Sequence, residues 1–196
     1  MVTSDYTDLF SSGMTPAATR VLEVASKLFY ERGIHAVGVD TIAEVSGVTK
    51  KTIYDRFRSK DMLVAVYLHR RDLLYRRWQQ EWAAGHPLDP PLLGTFDAMA
   101  AWMREHGPRG CAFVRAAGEL PDPDHPAHRI AREHKSWFRD YLRDLAVAAG
   151  HPRPADIASE LLTLHEGATV LYSVGADPAA VITARRAAAL LAGSQR

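Results

Sequence analysis

Residues 39–60 read VDTIAEVSGVTKKTIYDRFRSK, and this stretch decides the fold. Ile42, Ala43 and Ser46 fall at i, i+1 and i+4, a small inward face one turn deep. Gly47 supplies the left-handed residue that ends a helix, with the apolar Val48 after it. Thr49 suits the N-cap of a second helix, whose Ile53 and Phe57 sit at i, i+4 and point inward. Two short helices joined by a Gly-containing turn are a helix-turn-helix outline. The second helix keeps Lys50, Lys51, Thr52, Tyr54, Asp55 and Arg56 for its outward face, with Arg58 and Lys60 just beyond. From Thr49 to Lys60 there are five basic residues and one acid, a local balance of +4 in a chain whose formal total is +1. Polar side chains flanked by cations and a tyrosine hydroxyl are what a major-groove reading helix needs.

On these residues the stretch from Thr15 to Leu63 resembles the DNA-binding domain of the TetR family of bacterial regulators. The likeness is carried by Leu28-Phe29-Tyr30-Glu31-Arg32-Gly33, by Ile42-Ala43, and by the run from Gly47 to Phe57 followed by Ser59-Lys60. One departure is Gly38, where many relatives begin the helix with Ser or Thr; glycine caps without a side-chain oxygen. The resemblance implies that Thr49, Lys51, Thr52, Asp55 and Arg56 approach base edges and that Lys50, Tyr54 and Lys60 hold phosphate. Asp55 either accepts from a cytosine amine or orients Arg56 or Lys51, with orientation preferred. The partner implied is a double-stranded, palindromic DNA operator, released when a small lipophilic or aromatic effector binds elsewhere.

Composition fits this. Hydrophobic residues make up 47% and charged residues 24% of 196 positions, ordinary for a globular chain with ample core. Three of the five lysines lie between Lys50 and Lys60. The near-neutral total argues against a sequence-independent DNA packager, which neutralises many phosphates and is strongly basic. A single cysteine, Cys111, rules out an internal disulfide framework and fits a reducing cytoplasm. No apolar run approaches a membrane span, and the N-terminus has no signal-peptide pattern, so a cytoplasmic location is expected.

The remaining pattern predicts an all-α chain of about nine helices. Residues 1–14 read as a flexible arm, 15–60 as the DNA-binding domain and 61–196 as a helical effector-binding and dimerisation domain. Thr15-Pro16 opens a helix that runs to Gly33. Ser59 caps a long helix ending near Gly85, and residues 87–91 read as a loop. Further helices are expected over 92–106, 112–120, 127–149, 155–174 and up to Leu191. Small residues on the last two helices, among them Gly167, Ala168, Ala184, Ala187 and Ala188, permit close helix approach, and the resemblance points to a homodimer there.

The second domain is rich in large apolar side chains, and core packing is the default reading of each. Trp102, Phe113, Trp137, Tyr141 and His165 are the candidates for lining an effector pocket. Asp122, Asp124, His125, His128 and His134 suggest a metal cluster, but the prolines among them and the absence of metal-site spacing favour an acidic turn before a helix. No metal, cofactor or catalytic residue is expected. Cys111 lies near Arg109 and Arg115 and is considered as a redox sensor, although an unreactive cysteine is the plainer reading. The rival function is a small-molecule-binding helical enzyme or carrier with a vestigial DNA-binding domain. No nucleophile elbow, phosphate loop or spaced carboxylate pair supports an enzyme.

Overall fold

The start of the first helix shows how closely local chemistry sets the architecture. Thr15 Oγ1 accepts from the Ala18 amide at 3.3 Å, and Pro16 takes the first helical position, where a missing N–H costs nothing. In the computed structural model, which describes residues 13–86 and 91–193, this helix is α1, Pro16–Arg32. It is followed by α2 (Val39–Ser46), α3 (Lys50–Phe57), α4 (Lys60–Gly85), α5 (Pro91–Glu105), α6 (Ala112–Glu119), α7 (Pro126–Ala148), α8 (Pro154–Ser173) and α9 (Ala180–Gly193). The described residues contain these nine helices and no strand, as the sequence pattern requires. The expected arm lies almost wholly outside the described residues, as does the 87–91 loop except for Pro91, which opens α5.

The chain divides into two compact units. One holds the chain up to Leu73 together with Ala112–Arg132; the other holds Leu74–Cys111 together with the chain from Glu133 onward. This differs from a boundary at residue 60. The reason is packing: Leu63, Val64, Ala65, Val66 and Leu68 have no exposed surface, so the first turns of α4 are core of the first unit.

In the first unit, α1 buries Ala18, Val21, Leu22, Ala25, Leu28 and Phe29. Helices α2 and α3 pack on it and on each other through Ile42, Ile53 and Phe57, each at most 2% exposed. Each such side chain contributes about 1.5–3 kcal/mol by leaving water. The α2–α3 turn is closed by Gly47 at φ 67° and ψ 27°, with the Val48 amide donating back to the Ala43 carbonyl. Ser46 Oγ, buried, donates to the Ile42 carbonyl at 2.6 Å, so this polar side chain inside the unit is satisfied.

In the second unit, α9 packs against α8 and α5. Ala180, Ala184 and Ala188 sit in the same core as Leu92, Phe96, Met99, Phe138, Leu142, Ile157 and Leu161. No helix among the described residues is long and apolar enough to cross a membrane.

Candidate nucleic-acid interface

Helix α3 is fixed at both ends. Thr49 Oγ1 accepts from the Thr52 amide at 3.2 Å, which starts the helix one residue before Lys50. At the other end Arg58 adopts φ 64° and ψ −46°, and the Ser59 amide donates to the Phe57 carbonyl at 2.7 Å, a tight γ-turn. Ser59 Oγ then accepts from the Met62 amide and caps α4. With Ile53 and Phe57 buried, the opposite face is presented outward. Thr49, Lys50, Lys51, Tyr54 and Asp55 are exposed, while Thr52, Arg56 and Lys60 are half-buried.

Several of these side chains already have partners. Lys51 Nζ pairs with Asp55 Oδ2 at 2.6 Å one turn away. Lys50 pairs with Asp40 at the start of α2. Arg56 donates to the Gly13 carbonyl at 2.8 Å, so its guanidinium is held by the segment preceding α1. Burial draws the Lys60 pKa below its ordinary value, against the opposing pull of Asp61 and Glu119. Gly38 begins α2 with no side-chain hydrogen bond, so that cap offers no hydroxyl.

The scaffold of this unit includes two residues that the sequence does not connect with the reading helix. Arg115 and Glu119 lie one turn apart on α6. Arg115 Nη1 donates to the Tyr30 carbonyl at 2.7 Å, and Glu119 Oε2 accepts from the His35 amide at 2.8 Å. They secure the end of α1 and the turn that leads to α2. Their i, i+4 spacing was visible in sequence, but their partners lie 85 and 84 positions away.

Of the acidic turn and its histidines, His125 Nδ1 accepts from the Ala127 amide at the start of α7. His128 Nε2 meets the Leu120 carbonyl, and Asp122 accepts from the Asp124 amide. No group of three metal-ligating side chains occurs among the described residues.

The five pocket candidates separate. Phe113 is buried and belongs to the first unit with α6, whereas the other four belong to the second. Trp102 is 8% exposed and packs edge-on against Tyr75 and Trp78. Trp137 stacks on Tyr141 at 5.5 Å. His165 is 2% exposed, stacked on Phe96 at 3.9 Å. Its Nε2 is 3.0 Å from Thr95 Oγ1, whose own proton goes to the Leu92 carbonyl. Its Nδ1 faces the Met99 sulfur at 3.1 Å. Burial, with the Lys135 charge adding to it, pushes the His165 pKa down to about 3. Of the five, Tyr141 lines an open cavity of about 190 Å³, together with Gln79, Trp82, His86, Gly94 and Thr95. Gln79, Trp82 and His86 follow Tyr75 at helical spacing on α4, a signal the sequence did carry.

Comparison with known proteins agrees with this geometry. A model of the bacterial regulatory proteins of the TetR family matches residues 21–67, and a tetracyclin repressor-like C-terminal domain matches residues 90–188. The chain is 28% identical to the HTH-type transcriptional regulator YjdC of Escherichia coli over 69% of its own length and 66% of that protein's. It is 30% identical to the HTH-type transcriptional repressor KstR2 of Mycolicibacterium smegmatis, over 71% of this chain and 70% of that one. The crystal structure of SCO4454, a TetR-family transcriptional regulator from Streptomyces coelicolor, superposes with a TM-score of 0.83 at 29% identity, covering 91% of this chain and 95% of that one. With both halves of the domain pattern matched and the reading helix in place, the chain belongs to the TetR family of bacterial transcriptional regulators.

Proposed function

We propose that the protein is a homodimeric repressor that binds a palindromic operator and releases it when a small lipophilic or aromatic molecule occupies the helical unit. The observation that carries this is the outward face of α3, polar and basic, seated on buried Ile53 and Phe57. On this reading Thr49, Lys51, Thr52, Asp55 and Arg56 face base edges, and Lys50, Tyr54 and Lys60 face phosphates. Arg56 reads a base only after exchanging the Gly13 carbonyl for DNA. The effector enters beside Gln79, Trp82, Thr95 and Tyr141, where the polar groups are uncharged or aromatic. Effector and operator disfavour each other by the same coupling energy, about 1–3 kcal/mol in typical cases. The protein works in the cytoplasm, where its DNA is.

The test is binding of the purified protein to DNA flanking its own gene, against a scrambled duplex, over a salt series. Tight binding to the flanking DNA alone, with a steep salt slope, supports the reading. Absence of binding to either duplex at low salt overturns it. Within that assay, Tyr54→Phe and Lys50→Ala are expected to weaken all duplexes alike, and Lys50→Ala to reduce the salt slope by about one. Lys51→Ala or Arg56→Ala is expected to relax preference at one or two base pairs, at about 1–3 kcal/mol each. Equal loss of discrimination in all four variants would show the roles to be wrongly divided.

The dimer reading is supported by large apolar side chains exposed on α8, at its C-cap and on α9. Val170, Val174, Ile182 and Leu190 are 51%, 69%, 71% and 71% exposed. A patch of this kind on the last two helices suits a two-fold interface, which places two reading helices about 34–36 Å, or a multiple of it, apart along DNA. Ile182→Asp is expected to give a monomer in sedimentation analysis with native helicity, and to lower operator affinity at least about tenfold. A variant that stays dimeric would place the interface elsewhere.

A further inference from the structure

The cavity bordered by Gln79, Trp82 and Tyr141 lies wholly within the second unit, and its walls select the molecule it takes. The selection starts on α4. Tyr75 stands edge-on to Trp102 and Phe138 at 5.2 and 5.8 Å, so its ring and hydroxyl are held in place. Gln79, one turn on, donates through Nε2 to that hydroxyl at 2.8 Å, and among the described residues it makes this one hydrogen bond. Gln79 is only 1% exposed. Its carbonyl oxygen has no partner and yet is not one of the polar atoms sealed from solvent, so the surface that Gln79 keeps is an acceptor opening onto the cavity. A deeply set acceptor without a donor is costly, and a folded protein that keeps one calls for an explanation.

The other walls narrow the class. Trp78 Nε1 donates to the Ala98 carbonyl at 3.0 Å, whereas Trp82 Nε1, one turn later, is sealed off without a partner. Trp82 therefore offers the cavity its ring and not its N–H. Thr95 Oγ1 is engaged by the Leu92 carbonyl and by His165 Nε2. Burial raises the Tyr141 pKa, so a neutral hydroxyl stands on the wall at physiological pH. No Asp, Glu, Lys or Arg lines the cavity among the described residues, so a charged ligand would lose its hydration with nothing to replace it. The volume of about 190 Å³ is little more than the roughly 150 Å³ that takes up one benzene ring.

We propose that this cavity binds uncharged single-ring phenols, the ligand hydroxyl donating to Gln79 Oε1 and the ring lying against Trp82 and Tyr141. Gln79 is the specificity-determining residue, and Tyr75 positions it. A phenol supplies the donor that Gln79 lacks, and its oxygen keeps lone pairs for the Tyr141 hydroxyl. A benzoate brings an unpaired charge, and an alkylbenzene leaves the Gln79 oxygen without a donor. This names the class of molecule for the effector role proposed above and rests on that reading for its consequence at DNA.

The experiment is calorimetric titration of the full chain, without DNA, with p-cresol, p-xylene and p-toluate, which share one ring. p-Cresol is expected to bind at least about tenfold more tightly than p-xylene, which has a methyl group in place of the hydroxyl. p-Toluate is expected to give no binding at the same concentrations. Gln79→Leu removes the acceptor, so p-cresol and p-xylene should then bind alike. Should that variant fail to fold, the three ligands on the native chain decide the matter together with Ala83→Phe. Ala83 is exposed at the rim of the cavity, and its replacement is expected to lower p-cresol affinity at least about tenfold with native circular dichroism. Absence of p-cresol binding at millimolar concentration overturns the proposal, as does p-xylene or p-toluate binding as tightly as p-cresol. So does a folded Ala83→Phe chain with native affinity. Because no DNA is present, this titration and the operator assay fail independently.

Discussion

Replacing Gly110 by alanine is expected to destabilise the second unit by about 2–5 kcal/mol, a large share of the 5–15 kcal/mol typical of a folded domain. Two costs add. Gly110 has φ 82°, where an L side chain pays about 1–2 kcal/mol. The new Cβ would also lie 2.6 Å from Ser173 Cβ and 2.9 Å from Ser173 Oγ, which forces α8 or the turn to move. Overpacking of this kind costs about 1–3 kcal/mol. Gly47 separates the two effects, because it has φ 67° with nothing within 4 Å of its would-be Cβ. Gly47→Ala should therefore cost only the backbone share, about 1 kcal/mol. Adding Ser173→Gly to Gly110→Ala should restore the steric share and not the rest. Thermal unfolding followed by circular dichroism checks this, with an expected fall of about 5–15 °C for Gly110→Ala. Equal shifts for Gly110→Ala and Gly47→Ala would mean that the approach to Ser173 carries no energy.

The parts of this fold that were legible in sequence are those set by neighbours along the chain. Gly47, Thr49, Ile53 and Phe57 act within one or two turns, and the helix-turn-helix follows from them. The same holds for Thr15-Pro16 and Ser59, whose capping bonds span three residues. What stayed hidden depends on distant partners. That Arg56 rests on the Gly13 carbonyl, 43 residues away, is not written in any local period. Phe113 looks like its aromatic neighbours in sequence, but α6 belongs with α1, so the residue is core of the first unit. The cavity is hidden in the sequence for another reason. Gln79, only 1% exposed, sits in a helix that reads as a plain amphipathic element until Tyr75, Trp82 and His86 are placed on one row. His165 was noticed because a polar residue interrupts an apolar face, and the structure accounts for it through Thr95 rather than through the cavity.

That histidine makes the protein acid-sensitive in a way that can be assigned to one side chain. His165 binds a proton near pH 6.5 in the unfolded chain and only near pH 3 in the folded one. Between those values the unfolded state holds the extra proton, so stability falls as pH drops through the window and is fully retained above it. The slope is about 1.4 kcal/mol per pH unit, or about 3 kcal/mol from pH 7 to pH 4. Its origin is physical: the imidazolium would lie among Phe96, Phe138 and the Met99 sulfur, with Lys135 repelling it. Carboxylates elsewhere also titrate as the pH falls, so the native curve alone cannot assign the effect. His165→Gln keeps a donor for Thr95 and removes the titration. The stability difference between native and variant, from urea unfolding at pH 7, 6, 5 and 4, is expected to shift by about 3 kcal/mol against the native protein across that range. A constant difference at all four values would show that the ring is protonated in place, or that its surroundings open before it titrates. The test also bears on the cavity, because Thr95 both holds this ring and lines the opening, so a ligand that bonds to Thr95 Oγ1 competes with His165 Nε2 for the same oxygen.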